Sequence, residues 1–215
     1  MQLPFDPDEA TRKLCTIDRK LARLIERTGP FTLRLEKMGS PFHALARAIV
    51  YQQLSGKAAA TIFGRVQALF PKAKGLRPEL LLQVPDESLR AAGMSGNKTA
   101  AIKDLAAKTL DGTVPTLASL QRMPDEEILS RLIQVRGIGP WTVEMLLMFR
   151  LGRPDVLPVS DLGVRSGFQL TYRTEELPST KELLAYGERW RPFRSVASWY
   201  MWRAVDLSRK EKLIK

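Results

Sequence analysis

The chain has 215 residues, enough to bury a substantial core as one compact unit or two small lobes. Its hydrophobic content of 44% is ordinary for a globular protein, no apolar run is long enough to span a membrane, and the acids and prolines of residues 1–10 do not form a secretory signal. A formal charge of +11 suits a polyanionic partner and, on charge alone, equally a solvated basic surface, while the single Cys15 excludes an internal disulfide and a four-cysteine zinc or iron–sulfur site and suits the reducing cytoplasm, and the single His43 argues against a histidine metal centre.

The apolar spacing predicts helices almost throughout. Residues 8–27 place Leu14, Ile17, Leu21, Leu24 and Ile25 on one stripe and predict one long helix. Phe42, Leu45, Ala46 and Ile49 form the next stripe. Ser55 can cap a helix that turns Ala59, Ile62, Phe63, Val66 and Leu69 inward. A short helix over 85–92 stops at Gly93, and Ser95 or Asn97 can cap one over 98–110. Pro124 opens a helix over 125–134 with acids in its first turn, and Pro140 opens another over 141–150. Three more follow, near 162–170, 181–189 and 196–207. Residues 112–115 and 152–158 read as connections. No alternating strand of useful length and no internal repeat is present, so the expected class is all-α.

Residues 132–149 are the most informative stretch. One helix ends near Gln134, Gly137 and Gly139 bracket Ile138, and Pro140 restarts a helix. Glycine tolerates backbone angles and close approaches that a Cβ forbids. Ile138 can plug the core, leaving backbone N–H groups at Gly139 and the start of the second helix to face an anion such as a DNA phosphate. An ordinary helix–turn–helix corner would share the Gly-x-Gly pair. The apolar helices on both sides and the basic composition favour a helix-hairpin-helix that grips a DNA backbone without reading a base code.

With the run Val-Leu-Pro-Val-Ser-Asp-Leu-Gly-Val-Arg-Ser-Gly over 156–167, the hairpin resembles the helix-hairpin-helix–Gly/Pro…Asp superfamily of DNA glycosylases, and within it the 3-methyladenine DNA glycosylase II branch. Residues 48–55, 89–99 and 189–202 are similar to further family segments, in family order. The resemblance implies an all-α fold of two helical lobes with a cleft between them. Residues 40–150, including the hairpin at 132–149, would form a helical barrel lobe, and 1–39 with 151–215 the second. The extra N-terminal β domain of some members is not expected, given the few residues before the first family helix.

The resemblance further implies base flipping into a pocket and hydrolysis of the N-glycosidic bond of alkylated bases such as 3-methyladenine and 7-methylguanine, in base excision repair. Asp161 matches the carboxylate that stabilises oxocarbenium character at the sugar; taken alone it reads first as the cap of the following helix, and both roles can hold at once. Trp141 and Trp202 fall at aromatic positions around the pocket, where a cationic base stacks well; core packing is the ordinary fate of a tryptophan. Relatives that also cut the strand carry a lysine at the position of Trp141, so a monofunctional enzyme without lyase activity is implied. Gln53 is the first choice for the wedge that fills the gap, with Gln52 and Leu54 as rivals. Gly137, Gly139, Thr142, Lys57, Arg165 and Lys98 are candidate DNA contacts. Ser160, in place of an acid before Asp161, leaves a single clear catalytic carboxylate.

No cofactor is implied beyond a structural Na or K ion at the hairpin, which backbone carbonyls of Ile133, Val135 and Ile138 would hold. The implied partner is double-stranded DNA containing alkylated bases, with no membrane; a monomer in the cytoplasm, nucleoid-associated in a bacterium, is expected. The competing reading is a non-catalytic module that binds damaged or bent DNA through the hairpin and has no need of Asp161.

Overall fold

A computed structural model describes residues 2–70 and 75–213. Among these residues every regular element is helical: α1 (Pro7–Ile17), α2 (Arg19–Thr28), α3 (Pro41–Tyr51), α4 (Gly56–Ala68), α5 (Pro78–Gln83), α6 (Asp86–Ala91), α7 (Gly96–Leu110), α8 (Leu117–Arg122), α9 (Asp125–Leu132), α10 (Pro140–Leu146), α11 (Leu162–Tyr172), α12 (Thr180–Gly187) and α13 (Arg194–Leu213). A π-helical segment, Leu147–Leu151, continues α10, and a 3-10 turn, Glu188–Trp190, follows α12. No described helix is long and apolar enough to cross a membrane. Two compact units emerge, Lys37–Val143 and a discontinuous one of Met1–Glu36 with Glu144–Lys215.

In the continuous unit α7 is the central element. It buries Thr99, Ala101, Ile102, Leu105 and Ala106 and packs against α3, α5 and α6. Ser95 caps it through the Lys98 N–H, as Ser55 caps α4 through Ala58 N–H. α5 and α8 were not foreseen. Each is six residues long, too short for a 3.6-residue period to show, and each starts on local chemistry: Pro78 at the first turn, and Thr116 accepting the Ser119 N–H.

In the discontinuous unit the expected single helix over 8–27 is two. Asp18, in an extended conformation, closes α1 and caps α2 by accepting the Lys20 and Leu21 N–H groups on Oδ1 at 3.1 Å. The apolar phase runs through this break, which is why periodicity alone reads one helix. Asp18 Oδ2 also accepts from Tyr172 hydroxyl at 2.6 Å, Tyr186 hydroxyl at 3.2 Å and Trp190 Nε1 at 3.1 Å. A carboxylate only 4% exposed is tolerable here because these donors replace its water. α11 and α13 pack closely across Gly167, where a Cβ would stand 1.9 Å from the Met201 carbonyl oxygen. No side chain but hydrogen fits.

Candidate active site

The hairpin turn follows α9 in the continuous unit. Gly137 has φ +78°, a left-handed conformation, and a Cβ there would meet Ala101 of α7 at 3.2 Å. Ile138 is 4% exposed and plugs the core between the flanking helices. Asp104 of α7 accepts the Arg136 N–H at 2.7 Å and pairs with Lys108 at 2.9 Å; burial pushes its carboxyl up, but these hydrogen bonds, with the charges of Lys108 and Arg136, hold it below the usual range. Gln52 Nε2 donates to the Gly137 carbonyl at 2.8 Å. Gly139 differs from Gly137: no atom lies within 4 Å of a Cβ built on it, and its φ is not left-handed. Packing within the protein gives no reason for glycine at 139.

Thr142 is buried, and its N–H and that of Val143 both donate to the Gly139 carbonyl, at 3.0 and 3.3 Å. Trp141 beside them is 44% exposed, so core packing is not its fate. Of the carbonyls expected to hold a monovalent cation, that of Val135 already accepts the Ile138 N–H at 3.0 Å, and Lys108 Nζ donates to the neighbouring Gln134 carbonyl. A carbonyl keeps a second lone pair after one hydrogen bond, and the Lys108 ammonium already places a positive charge beside this group.

The wedge candidates lie where α3 ends. Gln52 is the C-terminal cap and is tied to Gly137 as described. Gln53 has φ +57°, left-handed for a non-glycine residue, and Leu54 is 39% exposed. Lys98 Nζ donates to the Val50 and Gln52 carbonyls at 2.7 and 2.8 Å, and desolvation lowers its pKa. It therefore braces the end of α3 and holds the residue preceding Gln53, a task distinct from gripping phosphate. Lys57 is exposed in the first turn of α4, and Arg165 on α11 donates through Nε to the Pro178 carbonyl at 2.8 Å.

Asp161 stands in the discontinuous unit as the N-cap of α11. Its Oδ1 accepts both the Val164 N–H and Trp202 Nε1–H, each at 2.8 Å. Two donors on one oxygen fix the rotation of the carboxylate, and the helix N-terminus favours its negative charge. The cap reading and a chemical role are thus compatible at one residue. Trp202 stacks on Phe149 of the π-helical segment with ring centroids 5.6 Å apart and planes at 29°. Gly163 makes room for it, since a Cβ there would lie 2.7 Å from its ring. Trp202 is therefore built in as the holder of Asp161.

The loop leading to Asp161 is equally fixed. Ser195 Oγ donates to the Arg153 carbonyl at 2.6 Å and accepts the Val156 N–H at 2.9 Å, while Arg194 grips Asp155 through Nε and Nη2 at 2.8 and 3.0 Å. Asp161 N–H closes a turn onto the Pro158 carbonyl at 3.0 Å. A rigid support of this kind suits a group that must meet a reacting atom.

A second carboxyl escaped the sequence reading. Glu144 on α10 has a buried Oε2 with no hydrogen-bond partner; burial lifts its pKa to about 7, and the charge of Asp161 pushes the same way. Asp161 is accordingly not the single carboxylate of its surroundings. The absence of an acid at Ser160 drew attention to the wrong neighbour; the usable signal was an acid within the otherwise apolar second hairpin helix.

Comparison with known proteins places the chain in a family. Residues 46–192 match the family profile described as HhH-GPD superfamily base excision DNA repair protein. DNA-3-methyladenine glycosylase 1 of Schizosaccharomyces pombe is 36% identical over 204 residues, covering 94% of this chain and 89% of that protein. A solved structure of 3-methyladenine DNA glycosylase from that yeast, in complex with abasic DNA, superposes with a TM-score of 0.79 over 91% of this chain and 95% of the other, at 36% identity. The crystal structure of a DNA-3-methyladenine glycosidase from Bacillus halodurans gives 0.81 at 37% identity, covering 94% and 91%.

Proposed function

The chain belongs to the HhH-GPD superfamily of base excision DNA repair proteins, and on that premise we propose that it is a DNA glycosylase that hydrolyses the bond between deoxyribose and an alkylated base. The observation that carries the proposal is Asp161, fixed at a helix N-terminus by two donors on Oδ1. A glycosylase has to bear positive charge on the sugar as the base departs. A preorganised carboxylate stabilises that charge without reorganising at the moment of reaction. Alkylation at a ring nitrogen already makes the base a good leaving group, so a strong acid is not required for its departure.

The remaining roles follow from position. Gly137 and Gly139 present the turn to the DNA backbone, aided by Lys57 and Arg165. Gln53, with its left-handed backbone at the end of α3, is the wedge, and Gln52 and Leu54 support it. The exposed indole of Trp141 offers a face to a flipped, cationic base. It is not an amine, so no Schiff base can form at that position and the product is an intact strand bearing an abasic site. A Na or K ion on the carbonyls of Ile133, Val135 and Ile138 would add positive charge under a phosphate.

The test is release of bases from methylated duplex DNA. Wild type is expected to release 3-methyladenine and 7-methylguanine without cutting the strand. Asp161→Asn should lower release by about 10²–10³-fold, the magnitude associated with removing a preorganised electrostatic group, while still binding abasic DNA. A wild type that binds DNA but releases no base would leave only a DNA-binding module; normal cutting by Asp161→Asn would remove the role given to Asp161.

A further inference from the structure

Glu144 lies in α10, in the same unit as Asp161. Its Oε2 is closed off from solvent and accepts no hydrogen bond. A carboxylate oxygen in that condition favours the protonated form, which accords with a carboxyl pushed up to about 7, first by burial and then by the negative charge of Asp161. Asp161, at the start of α11, is the charged group whose field acts on it. The cations flanking these elements have other partners: Arg150 pairs with Glu36, and Arg203 pairs with Asp206 at 3.0 Å and lies over the Trp199 ring.

We infer that Glu144 is a proton-exchanging positioning residue of the Asp161 site: a positive charge held against Asp161 draws the proton off Glu144 into solvent, so cationic ligands bind more tightly as pH rises. The inference rests on the reading of Asp161 as the group that faces a cation. The coupling runs through Asp161, so its sign reverses with the charge placed there. An anion alone makes ionisation of Glu144 harder; a cation against that anion cancels its field and makes ionisation easier. Linkage then requires that ionised Glu144 favours the cation in return.

The balance is simple. The O–H bond of Glu144 breaks, its proton passes to water, and the carboxylate stays. A cation enters as a proton leaves, so the net charge of the site is unchanged. A neutral ligand leaves the proton where it is. The acid thus keeps its proton while no positive charge faces Asp161 and releases it when positive charge develops there.

Burial remains the larger influence on Glu144 in either state, so the cation removes only part of the shift. One pKa unit corresponds to tenfold in affinity, and about three- to tenfold is expected. The experiment measures dissociation constants of two duplexes, one carrying a cationic pyrrolidine in place of the sugar and one a neutral tetrahydrofuran. They are compared at fixed ionic strength from about pH 5.5 to about pH 8.5, a range that brackets the carboxyl. In wild type the preference for pyrrolidine should grow by that factor as pH rises. In Glu144→Gln the preference should be independent of pH, and Glu144→Asp, which restores an exchangeable proton, should recover a rise.

Proton release measured on wild type alone, from binding heats in buffers of different ionisation enthalpy, gives the same answer if the glutamine variant folds poorly. Thermal melting supplies the complementary sign. The folded state holds the Glu144 proton more tightly than the unfolded chain, so wild type loses stability as pH rises from about 4.5 to about 7, and Glu144→Gln does not show this loss. A pyrrolidine preference that is flat with pH in wild type, or that rises equally in Glu144→Gln, overturns the inference while leaving the glycosylase reading intact. Absence of any pyrrolidine preference together with absence of base release overturns that reading instead.

Discussion

At the scale of single residues, Trp202 and Asp161 divide a task that sequence assigns to each separately. Matching a motif puts an aromatic beside a pocket and an acid at the sugar. The structure joins them by one hydrogen bond of 2.8 Å and sets the indole on Phe149. A tryptophan so engaged acts through the carboxylate it orients. Trp202→Phe tests this: it keeps an aromatic ring for the stack but removes the Nε1–H. A hydrogen bond to a charged group contributes about 1.5–3 kcal/mol, so base release under single-turnover conditions should fall by about ten- to a hundredfold. Affinity for intact duplex should hardly change, since phosphate contacts lie elsewhere. An unchanged rate would mean that Val164 N–H and the helix terminus suffice to hold Asp161.

At the scale of elements, the two glycines of the hairpin serve different ends, although sequence reads them as a pair. Gly137 is fixed by its left-handed φ and by Ala101, both internal to the protein. Gly139 has no such constraint. Gly137→Ala should therefore lower thermal stability, by about 1–2 kcal/mol for the strained backbone, as well as DNA binding. Gly139→Ala should leave the melting temperature within experimental error and weaken DNA binding alone, because the new methyl group stands where a phosphate approaches. Equal destabilisation by both would refute this division.

Elements with a long apolar period, such as α3, α4 and α7, were legible from spacing alone, and Ser55 and Ser95 marked the starts of α4 and α7 as capping chemistry predicts. The break at Asp18 was not, because Leu14, Leu21, Leu24 and Ile25 keep one phase through it. The clue was an acid on the buried phase, a position that only a helix end with several donors can supply. The π-helical segment that carries Phe149 left no mark in spacing either, since one residue inserted near the end of an apolar helix disturbs too few positions to be seen.

At the scale of the whole molecule, the charge of +11 was the first hint of function and remains the least specific. A basic surface raises affinity for any polyanion, and specificity has to come from groups that meet one nucleotide. The two contributions separate by their response to salt. Each phosphate contact adds about 0.9 to the slope of log affinity against log salt. Lys57, exposed in the first turn of α4, should behave as such a contact, so Lys57→Ala is expected to reduce that slope by about one, equally for undamaged and abasic duplexes. Arg165 already donates through Nε to the Pro178 carbonyl, which orients its guanidinium and joins the start of α11 to the segment before α12. Arg165→Ala should therefore lower stability as well as the salt slope. Asp161→Asn, which touches no phosphate in this scheme, should leave the slope unchanged while base release falls as predicted above. A slope altered by Asp161→Asn and untouched by Lys57→Ala would mean that the backbone is gripped by surfaces other than the hairpin unit, and that the positive charge of the chain is mostly solvated.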